Sequence, residues 1–425
     1  MMIEKLYQIY LQHSNVCIDT RKITPNCLFF ALKGPNFNAN EFAIKALEKG
    51  ASYAVVDEEK YVIDERYLWV EDTLKTLQKL ALKHRRQLRC PVLGITGTNG
   101  KTTSKELCFQ VLKQKYKTTA TAGNLNNHIG VPLTLLNIPL NTEFAIVEMG
   151  ANHIGEIDFL CRLAEPDYGV ITNVGKAHLE GFGSLAGVLE TKTELYRYLS
   201  EKKRPIFIKD NQQILIEKIP GHCEKINFGQ QADSKWKITN KGAQPFVKVE
   251  LDTNEIQSQL IGDYNFDNIA LSIAVGLEFG VSDKQIKEAI ECYTPSNNRS
   301  QIIETKSNTV LLDAYNANPM SIEKAIHNLS TINHQKKVMI LGDMFELGQE
   351  ADKEHIHVIN QCLNSGIKEV YLVGEIFSRL NQTNYKSYKN TTGLKEHLQN
   401  HQVDEAFVLI KGSRSMKLEE VVDYL

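Results

Sequence analysis

The chain has 425 residues, of which 42% are hydrophobic and 24% are charged, and its formal net charge is −2. This near-neutral balance gives no indication of a nucleic-acid partner or of an anionic membrane surface. No apolar run reaches the roughly 18 residues that a membrane helix needs, and we expect no signal peptide. Eight scattered cysteines without a C-x-x-C pair predict reduced core residues. We therefore expect a cytoplasmic protein.

The first part of the chain alternates short predicted strands and helices. Strands are expected at residues 27–32 ("CLFFAL") and 51–57 ("ASYAVVD"), with a helix between them that ends at Gly50. A helix rich in lysine and arginine follows at 74–89, and we interpret its charges as a solvated face. This alternation predicts a small α/β domain over residues 1–87.

The next part of the chain alternates continuous apolar strands with helices. The strands are "PVLGIT" (91–96), "TEFAIVEMG" (142–150) and "YGVITNVG" (168–175). Such runs predict a mostly parallel sheet that helices cover on both faces. Alternating residues between 225 and 261 predict an antiparallel extension, and an amphipathic helix is expected over 265–280.

The polar, turn-rich segment "TPSNNRSQ" at 294–301 predicts a linker. Beyond it, four buried strands separated by helices predict a second doubly wound α/β domain. These strands lie in "TVLLDAYNANP", "KKVMILGDM", "EVYLVGE" and "EAFVLIKGS". We therefore predict an α/β protein of three domains: residues 1–87, a central P-loop domain over 88–298 with a doubly wound, mostly parallel sheet, and a C-terminal Rossmann-like domain over 299–425.

Residues 91–107, "PVLGITGTNGKTTSKEL", combine a short buried strand, a glycine-containing turn and a predicted helix. A phosphate-binding loop needs this order, because glycines let backbone N–H groups approach oxygens and a lysine reaches the terminal phosphates. The full Walker A pattern would have a glycine where this chain has Ile95, so the loop is a shortened variant. An ordinary Gly/Asn turn is the alternative. The predicted nucleotide-binding residues are Gly97, Thr98, Asn99, Gly100, Lys101, Thr102 and Thr103.

Polar residues at the ends of predicted strands are the next candidates, since open α/β sheets bind ligands there. Glu148 ends an apolar strand, where a carboxylate commonly holds the Mg²⁺ that accompanies a nucleotide; a surface glutamate is the alternative. His178 follows the next strand in a glycine-broken loop, and the sequence leaves open whether it binds a ligand or only forms a hydrogen bond. Lys192 lies within a predicted helix, where the pattern alone favours a solvated lysine.

Further candidates lie around the predicted linker. Asn265 and Asn268 are three residues apart at a helix start, where an amide can cap the helix or bind a purine edge; capping alone would explain Asn265. Arg299 is a cation in the linker, and Asp313 ends a strand ahead of the polar turn that contains Tyr315. Together with the phosphate loop, these residues predict a nucleotide site between two α/β domains.

Eight motifs make a resemblance to a known family specific: "TGTNGKTT", "NLNNHIGVPLT", "VEMGANHIGEI", "AHLEGFGSLAGV", "GDYNFDN", "DAYNANP", "LGDMFELG" and "KGSRSM". In this order and spacing they resemble the Mur ligases, ATP-dependent amide-forming enzymes of peptidoglycan synthesis in the cell wall. The N-terminal "DTRKITPNCLFFALKG" is similar to the UDP-sugar-binding domain of that family, so the resemblance covers nearly the whole chain. "AGNLNNHIG", "LEGFGSLAG" and "YNANP" resemble the members that add D-alanyl-D-alanine to UDP-N-acetylmuramoyl-tripeptide, and imply these two substrates.

The resemblance implies ATP and two Mg²⁺ ions as cofactors, and we expect a monomer. It also implies that CO₂ carbamylates Lys192, which reverses the interpretation of that residue as a solvated lysine. The implied catalytic residues are Lys101, Glu148, His178, Lys192 and Arg299, and the implied metal ligands are Thr102, Glu148, His178 and Lys192. The implied ATP contacts beyond the phosphate loop are Asn265, Asn268, Arg299, Asp313 and Tyr315. The implied substrate contacts are Thr20, Arg21, Asn124, Asn126, Asn127, Asn316 and Asn318.

The implied reaction moves the γ-phosphoryl group of ATP onto the terminal carboxylate of the tripeptide. The amine of D-alanyl-D-alanine then attacks the resulting acyl phosphate. Phosphoryl transfer needs positioning and charge neutralisation rather than a covalent nucleophile, and the C-terminal domain is expected to close over the site and exclude water.

Two departures from the family pattern and several alternatives remain. Asn38 and Asn40 replace the usual Asp and His, and Asn297-Asn298 replace the usual Pro-Gly before Arg299.

The alternative enzymes are the Mur ligase that adds the third peptide residue and folylpolyglutamate synthase. A catalytically inactive nucleotide-binding scaffold is the alternative from another class. A P-loop GTPase would need an Asn-Lys-x-Asp motif, which the sequence lacks.

Overall fold

The computed structural model describes residues 2–13 and 15–425 and has a mixed α/β architecture. Its strands form three larger sheets, of four, nine and six strands in chain order, and one two-stranded hairpin. Each larger sheet belongs to one of the three parts predicted from the sequence. We propose that the domain boundaries fall at residues 87 and 298, in the segments that join the sheets.

Two predictions that concern the whole chain can be compared with the structure. Within the described residues, no helix combines the length and the apolar character needed to cross a membrane. All eight cysteines are free, and seven of them are buried as predicted, whereas Cys292 is exposed.

Six short strands lie in the N-terminal part: β1 (Val16–Cys17), β2 (Leu28–Phe30), β3 (Lys33–Gly34), β4 (Phe37–Asn38), β5 (Tyr53–Val56) and β6 (Tyr67–Trp69). Its helices are α1 (Met2–Gln12), α2 (Ala43–Glu48) and α3 (Thr73–Arg85), with 3-10 turns at Ala39–Phe42 and Glu59–Tyr61. The sheet is parallel in the order β1-β2-β5-β6, and β3 and β4 form the hairpin. Strand side chains alternate between faces, so β2 packs Leu28 and Phe30 into one core and Phe29 into another.

Helix α3 joins the N-terminal part to the central part, and its last turn differs from the prediction. Arg85 is only 7% exposed. Its guanidinium donates to the main-chain oxygens of Ala164 and Glu165, each at 2.7 Å, and to Asp167 at 3.0 Å. The interpretation of the basic residues as a solvated face is therefore wrong for Arg85, because this end of α3 packs against the central part.

Nine strands form the central sheet: β7 (Val92–Thr96), β8 (Thr118–Ala120), β9 (Phe144–Glu148), β10 (Tyr168–Ile171), β11 (Ile206–Lys209), β12 (Lys225–Gly229), β13 (Trp236–Ala243), β14 (Phe246–Leu251) and β15 (Asn254–Ile261). Their order is β15-β14-β13-β12-β11-β10-β7-β9-β8. The strands from β8 to β13 pair in parallel, and β13, β14 and β15 are antiparallel. The predicted parallel sheet with an antiparallel extension is confirmed.

Eight helices accompany this sheet in the described chain: α4 (Lys101–Leu112), α5 (Gly130–Leu136), α6 (Glu156–Ala164), α7 (Leu179–Phe182), α8 (Leu185–Glu201), α9 (Gln213–Ile216), α10 (Phe266–Glu278) and α11 (Asp283–Glu291), with a 3-10 turn at Asp263–Asn265. Helix α10 is not amphipathic as predicted, because every residue of 268–276 is buried. It packs against both α4 and the sheet, and a helix buried on all sides loses its polar stripe.

The C-terminal part contains β16 (Gln301–Glu304), β17 (Thr309–Leu312), β18 (Lys337–Gly342), β19 (Glu369–Val373), β20 (Lys386–Tyr388) and β21 (Phe407–Lys411). Its helices are α12 (Pro319–Thr331), α13 (Ala351–Asn364), α14 (Glu375–Leu380) and α15 (Thr391–Asn400), with 3-10 turns at Gly348–Glu350, Arg414–Met416 and Leu418–Tyr424. The sheet order is β16-β17-β21-β18-β19-β20. The four predicted buried strands are confirmed. The two edge strands β16 and β20 were not predicted, because they are short and lack continuous apolar runs.

Candidate active site

A cleft of about 500 Å³ lies between the central and C-terminal parts, at the carboxyl ends of strands from both sheets. Ligands of open α/β sheets bind at such edges. The cleft brings together most residues that the sequence singled out, and Gly97, Lys192, Thr20 and Arg21 lie outside its lining. The predicted residues that line it are Thr98, Asn99, Gly100, Lys101, Thr102, Thr103, Asn124, Asn126, Asn127, Glu148, His178, Asn265, Asn268, Arg299, Asp313, Tyr315, Asn316 and Asn318.

The candidate phosphate loop connects β7 to α4, and its geometry requires two glycines. Gly97 has φ +142°, and a Cβ at this position would overlap the Thr172 hydroxyl. Gly100 has φ +80°, and a Cβ there would lie 2.5 Å from the Asn268 side-chain oxygen. Glycine alone adopts these conformations without strain. The loop therefore turns sharply between its neighbours and leads directly into the N-terminus of α4.

The loop lysine lies at the start of α4, close to backbone acceptors. Lys101 Nζ donates to the main-chain oxygens of Gly97 and Thr98, at 2.7 and 2.9 Å. Burial lowers the pKa of Lys101 to about 8, although the nearby Glu148 opposes the shift. Thr102 follows in the first helical turn and is buried. A lysine beside the N-terminus of a twelve-residue helix suits a polyphosphate, since both attract anions.

The carboxylate of Glu148 ends β9 at the base of the cleft and is 1% exposed. Its Oε1 accepts a hydrogen bond from Asn126 Nδ2 at 2.7 Å. Its Oε2 accepts no hydrogen bond from the described residues and lies 4.0 Å from Lys105 Nζ. Buried polar atoms are nearly always partnered, so this oxygen is available to a ligand in the cleft. The alternative of a surface glutamate is wrong.

Lys192 lies in α8 and is 2% exposed, so the interpretation as a solvated lysine is wrong. Its Nζ lies 5.4 Å from the centre of the Phe182 ring. Burial, together with the positive charge of Lys101, lowers the pKa of Lys192 to about 7. A charged amine is costly in such a position. The side chain therefore has a substantial neutral, nucleophilic population near neutral pH.

His178 is the residue just before α7, and it contacts the C-terminal part directly. Its Nδ1 lies 2.5 Å from Glu346 Oε2, in the loop that follows β18. This contact lowers the pKa of Glu346. The sequence left open whether His178 binds a ligand or only forms a hydrogen bond. In the structure one ring nitrogen lies against the Glu346 carboxylate, and the residue also lines the cleft.

Asn265 and Asn268 form a buried hydrogen-bond chain rather than a helix cap. Asn265 makes no side-chain capping bond to α10, so capping does not explain it. Its Nδ2 donates to the Ile261 main-chain oxygen at 2.9 Å, and its Oδ1 accepts from Asn268 Nδ2 at 2.8 Å. Asn268 Oδ1 in turn accepts from Ser104 of α4 at 2.9 Å. This chain ties the start of α10 to the helix that follows the phosphate loop.

Charged side chains from the C-terminal part form the opposite side of the cleft. The Arg299 guanidinium lies 3.6 Å from the centre of the Tyr315 ring, a stacked arrangement. Asp313 Oδ2 pairs with Lys411, a buried residue at the end of β21, and Asp313 Oδ1 accepts from the Ser300 N–H at 3.3 Å. The Asp313 carboxylate thus links the linker to the C-terminal sheet.

The linker before Arg299 has an unusual backbone. Asn297, Asn298 and Ser300 all have positive φ, at 60°, 56° and 48°. Asparagine tolerates this conformation better than most residues, which gives the Asn297-Asn298 pair a backbone role in place of the family's Pro-Gly.

Two asparagines of the "YNANP" turn have local roles as well. Asn318 caps α12 by accepting from the Ser321 N–H at 2.9 Å, in a reciprocal capping box. Its Nδ2 also donates to Asn99 of the phosphate loop at 2.8 Å. Asn316 accepts from the Ala317 N–H at 2.9 Å. The C-terminal part therefore touches the loop directly.

Residues of the N-terminal part lie away from the cleft. Arg21 has an 85% exposed side chain and pairs with Asp19, and Thr20 is its partly buried neighbour. Asn40, which replaces a family histidine, is buried and donates to Asp57 at 2.8 Å, while Asn38 donates to Glu58 at 2.9 Å. None of these side chains lines the cleft. Asn38 and Asn40 form a separate polar group with Asp57 and Glu58 near the β3–β4 hairpin.

Sequence reasoning missed several cleft residues. Asn173 follows β10 and holds the loop, with its Oδ1 accepting from the Asn99 N–H at 3.0 Å. Lys411 ends β21. Both satisfy the strand-end rule that identified Glu148, so the rule would have found them if it had been applied at every strand. Other missed polar or aromatic residues lie on helices or loops without such a signal: His128, Asn152, His153, Glu156, Phe159, Tyr264, Asp267, Ser300, Ser321 and Lys324.

Among residues 2–13 and 15–425, no group of three or more His, Cys, Asp or Glu side chains is close enough to form a metal centre. A Mg²⁺ ion does not require one, because it commonly takes one or two carboxylates and completes its shell with phosphates and waters.

Comparison with known proteins connects this geometry to a family. Residues 95–276 match the model of the Mur ligase middle domain, and residues 298–414 match that of the Mur ligase glutamate ligase domain. The chain is 33% identical to the UDP-N-acetylmuramoyl-tripeptide–D-alanyl-D-alanine ligase of Bacillus subtilis, over 96% of this chain and 92% of that protein. It is 34% identical to the enzyme of the same name from Escherichia coli, with 96% and 92% covered. A MurF ligase from Thermotoga maritima, solved in complex with ADP, superposes with a TM-score of 0.85 at 26% identity and 97% coverage of both chains.

Proposed function

The chain belongs to the Mur ligase family, and on that basis we propose that it is an ATP-dependent ligase that joins D-alanyl-D-alanine to UDP-N-acetylmuramoyl-tripeptide in peptidoglycan synthesis. Identity above 30% to ligases of this name, over nearly the whole chain, supports the assignment. The observation that carries it is the single cleft that joins the phosphate loop, Glu148 and the C-terminal Arg299 and Asp313.

ATP occupies the side of the cleft formed by the phosphate loop, with its phosphates at the N-terminus of α4. Lys101 faces the terminal phosphates, and the backbone of residues 97–103 surrounds them. Asn265, Asn268, Asp313 and Tyr315 lie on the nucleoside side. The glycine backbone, the lysine and the helix N-terminus support this placement, because each favours negative charge.

Glu148 fits a magnesium site, because its buried Oε2 has no hydrogen-bond partner in the described chain. Thr102, His178 and Lys192 complete the proposed ligands around two Mg²⁺ ions. When bound, Mg²⁺ neutralises charge on the transferred phosphoryl group. The residues supply few carboxylates, which suits an ion whose other ligands are phosphates and waters.

Lys192 is carbamylated in this proposal. Carbamylation requires the neutral amine, and the burial that lowers the pKa of Lys192 to about 7 favours it. The product is an anionic group on a long arm, which replaces a buried cation near Lys101 with a buried anion. That exchange of charge sign suits a position near the Lys101 cation and the proposed Mg²⁺ ions.

The reaction proceeds through an acyl phosphate. The γ-phosphoryl group moves to the terminal carboxylate of the tripeptide, and the amine of D-alanyl-D-alanine attacks the acyl carbon, with phosphate leaving. Lys101 and Arg299 stabilise the transferred charge from opposite sides of the cleft. The contacts of Asn318 with Asn99 and of Glu346 with His178 hold the two sides together, and so limit the access of water to the acyl phosphate.

The UDP-sugar peptide extends from the N-terminal part to the cleft. Thr20 and Arg21 contact the uridine diphosphate, and Asn124, Asn126 and Asn127 face the sugar-peptide. Asn316 and Asn318 lie near the reacting end. We propose that the enzyme acts in the cytoplasm as a monomer.

A phosphate-release assay tests the function. Phosphate release from ATP is measured with UDP-N-acetylmuramoyl-tripeptide and D-alanyl-D-alanine, and then with each omitted in turn. We expect release that depends on both substrates. Release with glutamate and a folate, or with a UDP-dipeptide and a diamino acid, would instead identify one of the two alternative ligases. No release under any condition would favour the inactive scaffold.

A further inference from the structure

The loop after β18 crosses to the central part and contacts the segment around His178. Glu346 Oε2 lies 2.5 Å from His178 Nδ1, and the Glu346 main-chain oxygen accepts from the Glu180 N–H at 3.3 Å. A second ion pair joins the same two regions, with Lys176 Nζ 2.7 Å from Glu354. The C-terminal part thus holds this segment by side-chain and main-chain contacts together.

Both partners of the first contact have constrained backbones. His178 has φ +50° and Glu346 has φ +64°. Non-glycine residues adopt this left-handed region only at an energetic cost. The His178 ring also packs edge-on against Phe182, with ring centres 6.2 Å apart. These features fix the direction of the imidazole more narrowly than an exposed loop would.

A carboxylate on one imidazole nitrogen determines what the other nitrogen can do. The Glu346 carboxylate lies against the Nδ1 side of the ring, which leaves Nε2 as the nitrogen that can bind a cation. Carboxylate–histidine–metal arrangements of this kind orient the ring and raise its basicity. His178 lines the cleft, so the nitrogen left free belongs to a residue of the active site.

We propose that Glu346 is the positioning residue of His178, so that the C-terminal part completes the metal side of the site when it docks. This inference rests on the proposed function, because it assumes that His178 binds the cation. Glu346 itself does not touch the reacting groups. It acts through the direction of the imidazole ring, from the part of the chain that contains a different sheet.

Metal binding without turnover provides the test. Mn²⁺, a paramagnetic substitute for Mg²⁺, is titrated into the full-length protein and its binding is followed by electron paramagnetic resonance. ADP is present as the nucleotide, because it has no γ-phosphoryl group to transfer. We expect Glu346→Ala to weaken Mn²⁺ binding about tenfold, within the range for loss of an outer carboxylate. Glu346→Gln keeps an acceptor oxygen without the charge and should give a smaller loss. Glu350→Ala is the matched control, because Glu350 is an exposed acid in the 3-10 turn just after Glu346 and pairs with Lys353 of α13.

Two further variants distinguish positioning of His178 from a contact that only holds the central and C-terminal parts together. Lys176→Met removes the other ion pair between the same regions without touching His178, and should weaken Mn²⁺ binding less than Glu346→Ala. In a His178→Ala background, Glu346→Ala should have no further effect, because a residue that acts through another is not additive with it.

Unchanged Mn²⁺ affinity in Glu346→Ala would overturn the inference. So would an equal loss in Lys176→Met, or a loss in Glu346→Ala that persists without His178. Glu148→Gln distinguishes this failure from failure of the proposed metal site. If Glu148→Gln weakens Mn²⁺ binding and Glu346→Ala does not, only the positioning role falls. If neither variant changes Mn²⁺ binding, the metal side of the proposed function falls with it.

Discussion

The two sides of the cleft are built in different ways. One side, the phosphate loop of residues 97–103, is a single continuous segment between β7 and α4. The other side is assembled from Glu148, His178 and Arg299 in the lining and from Lys192, which is buried outside the lining. These residues come from separate strands, loops and helices. Glycines at two positions define the first side, whereas burial and contacts between distant segments define the second.

This difference determines which evidence reveals each side. The loop could be recognised from consecutive residues, because its chemistry follows from local backbone geometry. The assembled side depends on side-chain environments that exist only in the fold, such as the 2% exposure of Lys192. Substitutions on the first side should therefore act locally, and those on the second should act through other segments.

The largest effect is expected on the loop side, from Lys101→Ala. Loss of one preorganised charge contact typically costs on the order of 10² to 10³ in rate, so kcat should fall by that factor while the melting temperature changes little. Steady-state kinetics and thermal unfolding check this. Lys113→Ala, an exposed lysine just after α4, is the control and should be neutral. Near-normal turnover in Lys101→Ala would contradict the phosphate-loop assignment.

A somewhat smaller loss is expected on the assembled side, from Lys192→Ala. Removal of the carbamate should cost roughly 10- to 100-fold, as metal-site substitutions do, and acetate or formate should restore part of the activity. Because the pKa of Lys192 is lowered to about 7, protonation below pH 7 should also reduce the carbamate and the activity of the unmodified enzyme. Lys202→Ala, at the exposed end of the same helix, is the control. Full activity of Lys192→Ala, or rescue by amines alone, would refute the carbamate.

Gly100→Ala tests whether the loop side depends on backbone geometry. A left-handed alanine costs about 1–2 kcal/mol, and its Cβ would also press on Asn268 Oδ1, which Ser104 holds. We expect a lower free energy of unfolding and weaker ATP binding. Gly366 has a similar φ, +73°, and a Cβ at this position would have nothing within 4 Å. Gly366→Ala should therefore lower the free energy of unfolding through backbone strain alone and leave ATP binding unchanged. Equal effects of the two substitutions on ATP binding would contradict the tight packing of the loop.

The smallest effect is expected where the two sides meet, at Asn318. Loss of a helix cap costs about 1 kcal/mol, and Asn318→Ala should also raise KM for ATP modestly through the lost contact with Asn99. Asn390→Ala removes the equivalent cap from α15, away from the cleft. Denaturant unfolding should show similar losses for both variants, and kinetics should separate them. A raised KM in Asn390→Ala would mean that the effect is one of stability alone.

The fold was largely predictable because its strands are continuous apolar runs. The central parallel sheet, its antiparallel extension and four strands of the C-terminal sheet follow from such runs. The errors occur at helix residues that other parts of the chain cover. In α10 the expected polar stripe is absent, and in α3 the guanidinium of Arg85 is satisfied by main-chain oxygens of another part of the chain. Sequence periodicity carries no information about such partners.

The same limit applies to the site. The loop lysine and Glu148 follow from their place after apolar strands. The burial of Lys192 did not follow from the spacing of residues in the sequence. Only the family resemblance identified Lys192 as a site residue. Asn265 resembles a helix cap in sequence, yet it bonds to Ile261 and Asn268, because the chain enters α10 through a 3-10 turn that removes the capping geometry. Glu346 lies in the family motif "LGDMFELG", but the sequence did not indicate its contact with His178, which is 168 residues away in the chain.

The acyl phosphate is the central chemical claim, and oxygen transfer tests it most directly. UDP-N-acetylmuramoyl-tripeptide labelled with ¹⁸O in its terminal carboxylate is ligated to D-alanyl-D-alanine, and the released phosphate is analysed by mass spectrometry. Attack of the carboxylate on the γ-phosphorus predicts one ¹⁸O atom in each phosphate released, with ADP as the other product. Phosphate without label, or AMP carrying the label, would contradict the account.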